Sequence, residues 1–136
     1  MKLIVCLDDR NGMLFNKRRQ SSDIRVTHKI LEIASARPIW MNKYSAYLFA
    51  EQQGNIHIAE NFLEQAYGDV YCFVENVDLT PYLSMTDELI VFRWNRLYPS
   101  DFCLPELPET LKKTSSEDFQ GNSHERITME VYRSEK

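Results

Sequence analysis

The sequence predicts an α/β fold: a mostly parallel sheet flanked by helices, with an antiparallel hairpin at the C-terminus. Three observations predict it. Short apolar and β-branched runs alternate with helix-spaced segments from Lys2 to Asn95. Two strand-like runs then close the chain, joined by Gln120-Gly121-Asn122-Ser123. The composition is globular, with 43% hydrophobic and 26% charged residues among 136. That is enough to bury a core as one domain over residues 1–136, with no repeat or linker.

The elements follow in order. Lys2 to Leu7 is too short for a helix and reads as a strand buried on both faces. Asp8 to Ser22 has no period and carries the turn signal Asn11-Gly12, so it reads as loop. Ser22 or Asp23 can cap a helix from about Ile24 to Ser35, whose Val26, Ile30, Ile33 and Ala34 share one face. Arg37-Pro38 stops it, and Pro38 to Met41 is a second strand. Asn42 can cap a helix through Gln52 with Tyr44, Tyr47 and Leu48 inward, ended by Gln53-Gly54-Asn55. Ile56 to Ala59 is a strand, Glu60 to Ala66 a short helix and Asp69 to Val74 a strand. Leu79 to Met85 reads as a helical turn or two and Glu88 to Asn95 as a long strand. Arg96 to Pro108 holds three prolines and reads as loop. Strands over about Thr110 to Asp118 and Arg126 to Arg133 finish the chain.

Composition excludes several classes. A net charge of −4 gives no global drive toward nucleic acid or an anionic membrane. No apolar stretch approaches the roughly 20 residues of a spanning helix. The N-terminal run, Leu3 to Leu7, is ended by Asp8-Asp9 and is too short for a signal peptide. Cys6, Cys72 and Cys103 are odd in number and show no CxxC or zinc-like spacing, which reads as free thiols in a cytoplasmic protein. No HExxH frames His28, His57 or His124, and His28 and His124 read as surface residues. No GxSxG frames Ser21, Ser22 or Ser45. Trp40 and Trp94 fall in strands and read as core.

Several strings carry a family resemblance. LIVCLDDRNGM is similar to the first strand and glycine turn of dihydrofolate reductase, and RPIWMNKYSAYLF to its second strand and helix, usually of the form PVIMGRKTFES. TDELIVFRW resembles its ADELYLTRI strand, SDFCLPEL its GDTFFPEI loop, and SSEDFQGNSHERITMEVYRSEK its last hairpin. The resemblance runs nearly the whole chain and implies a dihydrofolate-reductase-like fold. The departures concern the cofactor. Where the family has a Gly-Gly pair that lets backbone N–H groups meet the dinucleotide pyrophosphate, this chain has Glu75-Asn76, a carboxylate that repels phosphate. Asn42 replaces the glycine before the second helix, and Phe92 a pterin-contacting Thr. The stretch from Leu48 to Asp69 is much shorter than in the family, so the cofactor-binding half is abbreviated.

The resemblance also implies site residues. Asp23 matches the acidic residue that holds the pterin and supports its protonation, since a carboxylate accepts two parallel donors from an amidine-like ring edge. Its alternative role is as the helix cap. Lys43, Tyr44 and Ser45 match a helix start where a base, a hydroxyl and backbone N–H groups meet phosphate. Arg18 and Arg19 lie in a basic run beside the expected cleft and suit an anion. Three readings of function stay open. The first is a divergent protein, not an NADPH-dependent folate reductase, that binds a small heterocyclic or anionic ligand and needs no cofactor. The second is an oxidoreductase with an altered NADPH pose, since hydride transfer needs a positioned nicotinamide. The third is a non-enzymatic interaction or RNA-associated protein using the basic loop 17–19. An open cleft at Asp23 favours a ligand; a filled one favours the interaction reading.

Overall fold

A computed structural model describes residues 1–135 of the chain. The central sheet has seven strands. They are β1 (Lys2–Leu7), β4 (Ile39–Met41), β5 (Ile56–Ile58), β6 (Tyr71–Phe73), β7 (Glu88–Arg93), β9 (Leu111–Phe119) and β10 (Ile127–Ser134), in the spatial order β5-β4-β6-β1-β7-β10-β9. The pairs β5–β4, β4–β6, β6–β1 and β1–β7 are parallel; β7–β10 and β10–β9 are antiparallel. The chain is therefore α/β with a mostly parallel sheet and antiparallel strands at its C-terminal edge, as the alternation implies.

β1 lies in the middle because both its faces are apolar. Leu3, Val5 and Leu7 enter one cluster with Leu89, Val91 and Cys72. Ile4 enters the other with Ile90, Phe92, Tyr71 and Phe73. Leu3, Ile4, Val5 and Leu7 are fully buried, each worth about 1.5–3 kcal/mol of transfer free energy. Helix α1 (Ile24–Ala34) covers the second face through Val26, Ile30 and Ala34, while α3 (Phe62–Gln65) covers the first through Phe62 and Leu63. At the far edge β9 is exposed over most of its length and carries Lys112, Lys113, Glu117 and Asp118, charges that discourage pairing with another chain.

Two loops hold more structure than their sequences suggest. Residues 8–22 contain β2 (Gly12–Phe15) and β3 (Arg18–Arg19), and residues 96–108 contain β8 (Phe102–Cys103). These pair as a small sheet, β3-β2-β8. Asn16 and Lys17 take positive φ, 51° and 63°, between the paired residues Phe15 and Arg18. That is a two-residue turn with both central residues left-handed, the geometry that closes twisted hairpins. The strands are two to four residues long, below what a periodicity argument resolves.

The helix expected through Gln52 is also shorter. Asn42 caps it as anticipated, its side chain accepting from Ser45 N–H, but α2 spans only Lys43–Ala46 and passes into a 3₁₀ turn over Tyr47–Phe49. Tyr47 is 68% exposed rather than inward, and Tyr44 and Leu48 are only partly covered. The inward positions are Ser45 and Phe49 instead. Phe49 packs edge-on to Phe73, and Ser45 turns to Glu75.

Candidate functional site

The site lies at the carboxyl ends of β1 and β6, where ligands of open α/β sheets usually sit. The segment from Arg19 to Asp23 crosses these ends on its way from the small sheet to α1. Arg19, Gln20, Ser21 and Asp23 from that segment, Val26 and Ile30 from α1, and Phe73, Glu75 and Trp94 line a common cavity. The space left among them is about 20 Å³, room for roughly one water molecule. By volume, the cleft is filled by its own side chains.

One ion pair fills much of it. Arg19 meets Glu75 fork to fork, Nε to Oε2 at 2.8 Å and Nη2 to Oε1 at 3.0 Å. Such bidentate pairing is the strong form of a charge-assisted hydrogen bond. Glu75 is buried and also accepts from Ser45 Oγ at 2.8 Å. The guanidinium carbon lies 4.5 Å from the Tyr44 ring centroid, and Tyr44 Oη accepts from the Arg19 backbone N–H at 2.9 Å. Beside it, Asn42 Nδ2 donates to Asn76 Oδ1 at 2.7 Å. The structure thus brings Arg19, Tyr44 and Ser45 together around Glu75. Arg18 and Lys43 stay exposed outside this cluster.

Asp23 is the N-cap of α1, as one of its two readings held, and accepts from Arg25 N–H at 2.8 Å. It is also fully buried. Its oxygens accept from the backbone N–H groups of Asn122 and Ser123, from Ser123 Oγ and from His124 Nδ1, the last at 2.9 Å. Burial alone would raise its pKa, but these hydrogen bonds outweigh burial and hold the carboxyl far below the ordinary carboxylate range.

His124 is not the surface residue its turn suggests. It is 6% exposed, stacked on Trp94 at 4.7 Å, and its Nε2 lies 2.9 Å from Ser21 Oγ and 3.3 Å from Tyr98 Oη. Local sequence carries no signal for this, because Asp23 and His124 are 101 positions apart. Gly121 makes the approach possible: a Cβ there would lie 2.7 Å from Asp23 Oδ2 and 2.8 Å from the His124 carbonyl oxygen.

Asp8 braces the other side. Its carboxylate accepts from the N–H groups of Arg10, Gly12 and Tyr98 and from Gln20 Nε2. These bonds overcome the upward push of burial and lower its pKa. With Nε2 also donating to the Pro99 carbonyl, Gln20 Oε1 is left buried with no partner among the described residues. No cluster of three or more metal-binding side chains occurs among the described residues, and no helix is long and apolar enough to cross a membrane.

The architecture is that of dihydrofolate reductase. Dihydrofolate reductase from Enterococcus faecalis, solved as a complex with NADP(H) and RAB-propyl, superposes with a TM-score of 0.71 over 99% of this chain and 96% of its own, at 9% identity. The chain therefore has a divergent dihydrofolate-reductase-like fold. No family model and no curated protein sequence matches it.

Proposed function

We propose that this chain uses the dihydrofolate reductase fold without NADPH-dependent folate reduction, and that its cleft binds a small ligand in exchange for an internal ion pair. The Arg19–Glu75 pair carries the reading. Glu75 stands where the family resemblance expects a glycine pair to admit the pyrophosphate. Its carboxylate repels phosphate, and its bonds to Arg19 and Ser45 occupy the approach. Arg19 is a built-in occupant. Its two parallel donors match those of a heterocycle with an amidine-like edge, which would take its place on Glu75. An anionic group would compete for the other half of the pair, and Gln20 Oε1 offers a further acceptor. Entry then requires the half-buried Arg19 side chain to swing away from Glu75. The three cysteines are free, which supports a reducing, cytoplasmic setting.

A second reading, contact with an anionic macromolecule such as RNA, is supported by the filled cleft and by the exposed row Phe15, Lys17 and Arg18. A thermal-shift titration with NADPH and, separately, with a 2-aminopyrimidine folate antagonist tests the first reading. We expect a saturable rise with the antagonist, lost in Glu75→Gln, and none with NADPH. A ligand at 100 times its Kd stabilises by about 2.7 kcal/mol, well within reach of the assay. A saturable rise with NADPH would restore the reductase, and no rise with either ligand would favour the macromolecular contact.

A further inference from the structure

We propose that Ser21, His124 and Asp23 form a nucleophile, base and orienter that cleave a small activated acyl ester in this cleft. The arrangement is recognised by geometry, since triads occur on unrelated folds in any chain order. Ser21 Oγ lies 2.9 Å from His124 Nε2, and Asp23 Oδ2 lies 2.9 Å from His124 Nδ1. Each partner meets the ring nitrogen that the chemistry requires. The protonation pattern follows from the donors. An ionised carboxylate only accepts, so Nδ1 carries a proton, and in the neutral ring the Nε2 lone pair then faces the Ser21 hydroxyl.

The support around the set is rigid. Asp23 is anchored by backbone N–H groups from both the helix start and the loop at residues 122–123. Trp94 stacks on the imidazole with 25° between planes and fixes the ring. Tyr98 Oη, 3.3 Å from Nε2, is a second hydroxyl at the same nitrogen, able to hold the base while Ser21 is acylated. Ser21 is only partly buried and lines the cavity with the apolar side chains of Val26, Ile30 and Trp94, a wall suited to a short acyl or aryl group.

The steps balance. Ser21 Oγ attacks the carbonyl carbon as its proton passes to Nε2. The tetrahedral centre collapses, the bond to the leaving oxygen breaks, and that oxygen takes the proton from Nε2. Water then attacks the acyl-serine, giving its proton to Nε2. Collapse releases the carboxylic acid, and the proton returns to Oγ. One ester and one water yield one acid and one alcohol, with no oxidant or metal.

The proposal rests on the cleft admitting a small molecule. The test treats the full chain, and an Arg19→Ala form with the mouth unpaired, with a fluorophosphonate probe and with p-nitrophenyl acetate. We expect phosphonylation at Ser21 by peptide mass spectrometry, faster in Arg19→Ala, and absent in Ser21→Ala, which still unfolds cooperatively because Tyr98 Oη remains beside His124 Nε2. His124→Gln should slow both reactions by roughly 10²- to 10⁴-fold. If that variant does not fold, Asp23→Asn, which keeps the side-chain shape but no longer fixes the ring tautomer, should slow labelling of Ser21 by a comparable factor, and labelling at the native rate there overturns the triad. Ester hydrolysis unchanged in Ser21→Ala, or no labelling of Ser21 in either the native or the Arg19→Ala chain, overturns the triad. Saturable antagonist binding without labelling overturns the triad alone and leaves the ligand reading standing.

Discussion

Replacing Asp23 by alanine tests how much of the structure hangs on one carboxylate. The substitution removes the N-cap of α1, worth about 1 kcal/mol. It also leaves the N–H groups of Asn122 and Ser123 and the Nδ1–H of His124 short of an acceptor. A buried donor without a partner costs about 1–3 kcal/mol. Asn122 and Ser123 are exposed, so water can meet their N–H groups and each lost bond costs only about 0.5 kcal/mol; with about 1 kcal/mol each for the cap and for buried His124, the loss is about 3 kcal/mol against a total stability of about 5–15 kcal/mol. For a chain of this size that is a fall in Tm of about 9–15 °C. Asp23→Asn keeps the shape and one acceptor and should cost roughly half as much. Urea denaturation with an unchanged slope is the assay. The acid limb gives a second check. The folded pKa is depressed, so the stabilisation is fully present above the unfolded value of about 3.9 and is lost as pH falls from there toward the folded pKa. That contribution to the acid limb should vanish in Asp23→Asn. A loss below about 1 kcal/mol for Asp23→Ala would leave only the cap. It would refute the claim that Asp23 binds the hairpin loop to the helix.

Two other measurements bear on the same region. Gly121→Ala places a Cβ within 2.8 Å of the His124 carbonyl oxygen and of Ile127 Cδ1, so the loop must shift. We expect a loss of about 1–3 kcal/mol, and a neutral result in denaturant titration would refute the close approach. Among the thiols, Cys103 is exposed, burial pushes Cys72 up to about 12, and burial raises Cys6 as well. A thiol reagent should therefore modify only Cys103 in the folded chain and all three in denaturant. Rapid modification of Cys6, which lines the cleft, would contradict a cleft closed by Arg19.

The parallel core was legible because continuous apolar runs and the 3.6-residue stripe are local signals: β1 and β7 are short apolar runs buried on both faces, and α1 keeps one apolar face. Glu75 was legible too, as a charge in the wrong place for phosphate. Its partner was not. Nothing in Arg18-Arg19 says which of the two turns inward; that depends on a two-residue turn at Asn16-Lys17 and on the Tyr44 ring. The phase of the helix after Asn42 was misread because a 3₁₀ turn changes the angle per residue after one α-turn. His124 was misread because polarity and a turn context argue for exposure. Its burial is earned by Asp23, Ser21 and Trp94, all remote in sequence.

The tie between the start of α1 and the loop before β10 has a kinetic side. Residues about a hundred positions apart must meet before Asp23 finds its donors, and closing so long a loop slows folding. β10 docks between β7 and β9, so its strand is the last internal piece of the sheet to leave the ribosome. A nascent chain that stops short of residue 124 carries Asp23 without its His124 donor and Ser21 without the ring it meets. The tie between Asp23, His124 and Ser21 therefore forms only after β10 has been made and has slotted in, so it reports on completion of this sheet.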